Sequence, residues 1–180
     1  MIAKIVAAKI AHPKIANPKN ALSAISACGL LLVATGSASA ELLSRKDLSL
    51  DIALLIAQTA SQTCKANGYK VTVTVVDRAG QPMVQLRGDN ASPHTYENSM
   101  RKAYTARTMR VPSSQFAERV KKNPTTSQVF LANFAAAQGG VPIKVGDDVI
   151  GAVGVSGSPG GDKDEVCAKA GLDKAADQLK

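Results

Sequence analysis

Gly139-Gly140-Val141-Pro142-Ile143 and, a few residues on, Val149-Ile150-Gly151-Ala152-Val153-Gly154-Val155-Ser156-Gly157 constrain this chain more than any other stretch. The β-branched residues ask for strands, yet glycine stands at 151 and 154 inside the longer run. Glycine in a strand interior costs stability, so its use predicts close approach by a helix or a flat ligand. Gly146-Asp147-Asp148 turns the chain between the two runs, giving a hairpin over Val141–Val145 and Val149–Ser156. Gly139-Gly140 either lines the mouth of a pocket or only turns the chain. Neither stretch is a nucleotide loop, because no Gly-x-Gly-x-x-Gly opens a helix and no Gly-Lys-Ser/Thr occurs.

Upstream, Leu50, Ala53, Leu54, Ala57, Ala60 and Cys64 recur at helical spacing within Leu48–Ala66, and Asn67-Gly68 ends that helix. Val71–Val76 alternates as a strand, Asp77-Arg78-Ala79-Gly80 turns, and Gln81–Arg87 returns with Pro82 near its start. Ser92-Pro93 predicts a capped helix start, running through His94 to Arg110 before Val111-Pro112 breaks it. Short helices follow over Ser113–Lys121 and Thr125–Leu131, then a strand around Asn133–Gln138. Asp162 and Glu165 have capping-box spacing at the start of a final helix. With helices between the hairpins, an α+β fold with an antiparallel sheet suits the order better than βαβ winding.

The first forty residues read as an export signal. Lys4, Lys9, Lys14 and Lys19 precede an apolar run over Ala21–Val33, and Ala38-Ser39-Ala40 fits a cleavage site. That run is shorter than the ~20 residues needed to span a bilayer. Ile25-Ser26-Ala27-Cys28 has the look of a lipoprotein box, but Leu30–Val33, the greasiest part, follow the cysteine. Soluble export, periplasmic or secreted, is therefore expected, with residues 41–180 as one domain. The repeating Ala-Lys-Ile, Ala-Lys-Ile and Pro-Lys-Ile make the basic region long and leave a translation start downstream of Met1 open. Losing four lysines takes the net charge from +8 to +4, so most of the basicity belongs to the signal. With no Trp and few aromatics, nucleic acid is not an expected partner.

Cys64 and Cys167 survive cleavage and form no Cys-x-x-Cys. In an oxidising compartment they either join as a disulfide or remain two buried thiols on terminal helices. His94 is the sole imidazole left once His12 is removed. No spacing singles out a catalytic carboxylate pair or a nucleophile, so no catalytic residue is assigned. A neutral imidazole can ligate a metal, and no second histidine or nearby cysteine completes a zinc or copper site. Arg101 shares the helical face of His94, two turns on, and its planar fork suits a carboxylate. Arg87 is a further candidate approaching from the second strand, while Lys102 and Arg107 read more readily as a solvated basic face. Tyr104 and Met100 read chiefly as core packing.

The order Arg101-Lys102-Ala103-Tyr104-Thr105-Ala106, then the two glycine-rich strands, then Asp164-Glu165 resembles the GlcG/HbpS-like family of haem-binding proteins, over about Leu48–Leu179. The resemblance implies a five-stranded, profilin- or PAS-like antiparallel sheet flanked by terminal helices, and a homo-oligomer. It also implies haem in a slot between sheet and helices, with Pro93-His94-Thr95 matching exported members and His94 on the iron. Arg101, Lys102, Tyr104 and Gly140 are the further cofactor-binding candidates. The expected role is to sequester, carry or sense haem. A haem-degrading or small-acid redox enzyme, and a metabolite-binding sensor module, are the alternatives.

Overall fold

The computed structural model describes residues 40–180, so the export signal and Cys28 lie outside the described residues. The folded unit is residues 43–180. Its elements are α1 (Leu50–Ala66), β1 (Thr72–Val76), β2 (Pro82–Arg87), α2 (His94–Met109), α3 (Ser113–Lys122), β3 (Gly140–Val145), β4 (Asp148–Ser156) and α4 (Gly161–Ala175). Short 3-10 turns occupy Ser127–Phe130 and Ala176–Gln178. Among the described residues, no helix is long and apolar enough to cross a membrane.

The four strands form one antiparallel sheet in the order β2-β1-β4-β3, with Val73 opposite Leu86 on one side and Val155 on the other. A five-stranded sheet was expected; the strand at Asn133–Gln138 does not form. Side chains of α2 and α3 satisfy that segment's backbone instead. Ala135 N–H donates to Thr105 Oγ1 at 2.9 Å, and Ser113 Oγ donates to the Ala137 carbonyl at 2.7 Å. Phe134 meanwhile packs beside Tyr104 and Phe116. With its partners supplied this way, the segment needs no neighbouring strand. The helix expected over Thr125–Leu131 is reduced to the 3-10 turn.

The alternation in β1 sorts its residues between two different layers. Val73 and Val75 join the main core with Ala53, Ile56, Ala57 and Ala60 of α1, Val153 and Val155 of β4, and Cys167 and Ala168 of α4. α1 and α4 lie close enough that a Cβ on Gly171 would fall 2.5 Å from the Ile56 carbonyl oxygen. Between them Cys64 and Cys167 are joined as a disulfide, Cα–Cα 5.6 Å, which resolves the two readings of that pair. Closing so long a loop stabilises the fold by about 4–5 kcal/mol in the chain-entropy model.

Thr72 and Thr74 face the other way, toward α2. Thr72 Oγ1 shares a hydrogen bond with Thr95 Oγ1 at 2.8 Å, and Thr74 Oγ1 with Ser99 Oγ at 2.7 Å. Two strand glycines bring the helix backbone down onto the sheet. A Cβ on Gly154 would lie 2.2 Å from the Ser99 carbonyl oxygen, and one on Gly140 2.1 Å from that of Lys102. The glycines therefore admit a helix and not a flat ligand. The expected slot between this helix and the sheet is closed.

Both predicted helix caps differ from expectation. α2 begins with Pro93 at the N-cap and no side-chain cap, while Thr95 Oγ1 donates back to the Ser92 carbonyl. The N-cap of α4 is Gly160, with no side-chain cap, so Asp162 lies inside the first turn and forms no capping box with Glu165.

Candidate functional site

α2 carries most of the candidate residues, and its periodicity divides them. Thr95, Ser99, Ala103 and Ala106 are buried against the sheet. His94, Glu97 and Arg101 follow one another at three and four residues and share one outward face. His94 is exposed at the first residue of the helix. The Arg101 side chain, 43 % exposed, pairs with Glu97 at 2.5 Å, yet its Nε is buried without a hydrogen-bond partner. Asn98 Nδ2 donates to Ser156 Oγ at 3.0 Å, tying this face to the end of β4.

The structure separates the remaining candidates from that face. Lys102 does not lie on a solvated surface. Its side chain is 4 % exposed, and Nζ donates to Asp164 Oδ2 at 2.8 Å and to the Val155 carbonyl at 3.0 Å. Asp164, 3 % exposed, also accepts from the Ser158 N–H at 3.0 Å. The pair clamps α2 to the first turn of α4 and the end of β4. Tyr104 packs its ring edge-on to Phe134, centroids 5.6 Å apart, and against Gly80 in the β1–β2 turn. Gly140 lies beneath the α2 backbone and donates its N–H to Ser113 Oγ at 2.8 Å; it lines no pocket mouth. Arg87 stays exposed at the end of β2, with Nε and Nη2 donating to the Ala91 carbonyl at 3.2 and 2.6 Å. Of the five binding candidates, His94 and Arg101 alone share the outward face of α2, two turns apart.

Met100 lies off the His94 face, as its position predicts. It is half-buried and lines an open groove of about 370 Å³ with Tyr96, Glu97, Gln85 and Pro82. The Lys102–Asp164 pair had no local signal, since 62 residues separate its partners. A second polar assembly, also unmarked in the sequence, gathers at the other end of α2. There Arg78 Nε reaches Asp47 at 2.9 Å and its Nη2 reaches Asp148 at 2.8 Å. The hydrogen bond to Arg78 holds the Asp148 carboxyl below its usual range, and Asp148 and Asp47 together raise the Arg78 guanidinium.

The fold is that of a small α+β domain, an antiparallel sheet packed against helices, with His94 and Arg101 on the outward face of one of them. Residues 48–173 match the family described as "Haem degrading protein HbpS-like", and the chain belongs to this GlcG/HbpS-like family. Protein GlcG of Escherichia coli K12 is 32 % identical over 109 residues, covering 61 % of this chain and 81 % of GlcG. The crystal structure of a double mutant of HbpS from Streptomyces reticuli superposes with a TM-score of 0.70 at 33 % identity, covering 86 % of this chain and 97 % of that one. PduOC, crystallised as a haem complex, shares the fold at 21 % identity and a TM-score of 0.66, covering 72 % of this chain and 95 % of its own.

Proposed function

We propose that this chain is an exported protein that binds haem or a related tetrapyrrole on the outer face of α2, and sequesters, carries or senses it. The observation that carries the reading is the exposed imidazole of His94, with the Arg101 guanidinium two turns away on the same face, in a member of the HbpS-like family. The haem named in the PduOC structure adds support at the level of a shared fold. The fit is to the outside of the domain, because α2 meets the sheet at backbone contact distance.

Each residue has a distinct task in this reading. His94, at the first residue of α2, would hold the iron through one ring nitrogen. Arg101 meets a propionate with the same fork of donors that now holds Glu97, and its partnerless Nε supplies one further donor. Lys102, Tyr104 and Gly140 act indirectly by fixing α2 on the sheet. Bound haem would supply the iron centre and its redox chemistry. A flat ligand on an exposed helix face needs cover on its other side, and a second copy of the chain is the cover proposed here.

The test is to purify the protein from its native compartment, identify by absorption and mass what co-purifies, and sequence the mature N-terminus. The reading expects a Soret-absorbing tetrapyrrole and a chain beginning at Glu41. A different small molecule, with no saturable Soret band on adding haem, would overturn it.

A further inference from the structure

Arg107 lies about 20 Å further along α2 than His94, at a rise of about 1.5 Å per residue. There the end of α2, the β1–β2 turn and the residues before α1 surround an open pocket of about 570 Å³. Its charges are unequally matched. Arg78 already holds Asp47 and Asp148, and Asp77 Oδ1 accepts from the Gln81 N–H at 2.8 Å. The Arg107 Nε is buried with no hydrogen-bond partner. Among the described residues Arg110, in a left-handed conformation just past the helix (φ 58°), makes no ion pair.

Cations near a helix C-terminus are favoured by the terminal carbonyls, which accounts for Arg110. It does not account for a buried, partnerless Nε–H, which is costly unless an acceptor arrives. Paired arginine forks match carboxylate or phosphate oxygens. Leu48 and Met83 give the same pocket an apolar wall.

We propose that this pocket binds a small organic oxyanion, gripped by Arg107 and Arg110, with its carbon skeleton against Met83 and Leu48. Burial, together with the charges of Arg110 and Arg78, lowers the Arg107 guanidinium from its ordinary value, the direction a bound anion would reverse. The site is distinct from the His94 face and stands whether or not haem binds there.

The experiment is calorimetric titration of the purified, disulfide-intact protein with succinate and, separately, inorganic phosphate at low ionic strength. Succinate should bind saturably, and Arg107→Gln and Arg110→Gln should each weaken it by about tenfold or more. Lys174→Gln, an exposed change on α4, should leave it unaltered. Phosphate binding without succinate binding would overturn the organic ligand, and binding of neither would overturn the site. If Arg107→Gln fails to fold, Arg110→Gln decides, since undiminished succinate affinity in that folded variant also overturns the site.

Discussion

Lys102→Met isolates the clamp that seats α2. It removes the ammonium and leaves the Asp164 carboxylate, 3 % exposed, with the Ser158 N–H as its remaining partner. Breaking a buried pair from one side costs about 3–5 kcal/mol, because the surviving charge stays desolvated. Replacing both groups, Lys102→Met with Asp164→Leu, removes both charges and should recover most of the loss. A residue of about 1 kcal/mol should remain for the orphaned Ser158 N–H. Urea unfolding at neutral pH, with the disulfide intact, reads the difference. At a slope of about 2 kcal/mol per molar urea, the single variant's midpoint should fall by about 2 M. A midpoint within about 0.3 M of the parent, or a double variant no better than the single one, would refute the assignment of this pair as a buried clamp.

Gly140→Ala drives a methyl into the Lys102 carbonyl, so it should lower the urea midpoint by an amount equal to about 2–3 kcal/mol or prevent folding; an unperturbed midpoint would contradict the backbone contact. Reducing the Cys64–Cys167 bond should destabilise the protein by about 4–5 kcal/mol, seen as a lower thermal midpoint in reductant, and no shift would deny the cross-link. Asp148 titrates below its ordinary value when folded, so its contribution is present above the unfolded value of about 4 and fades as pH falls through the folded value. Stability measured between about pH 4 and pH 2 should therefore drop less steeply in Asp148→Asn than in the parent protein.

The two hairpins and the main helices were legible because their signals are local. Alternating Val and Thr, the apolar stripe from Leu50 to Cys64, and the Gly146 turn each fall within a few residues. The Asn133–Gln138 segment misled because its hydrogen-bond partners, Thr105 and Ser113, stand 30 and 24 residues away in the sequence. Gly151 and Gly154 were legible as places of close approach, but a glycine does not say what approaches. At Gly154 and Gly140 it is the backbone of α2. Lys102 was legible as a member of a motif and not by role, since a buried lysine reads as a surface one until Asp164 arrives from α4. His94 and Arg101 both lie on α2, where a spacing of seven residues returns to nearly the same face.

Ligation by His94 is the central claim, and chemical rescue tests it most directly. Haem is titrated into the parent protein and into His94→Gly, and the spectra are recorded with and without added imidazole. The account predicts a saturable Soret band for the parent, a weakened or shifted band for His94→Gly, and its restoration when free imidazole fills the vacated position. A His94→Gly variant that binds haem with the parent's spectrum and affinity would contradict it.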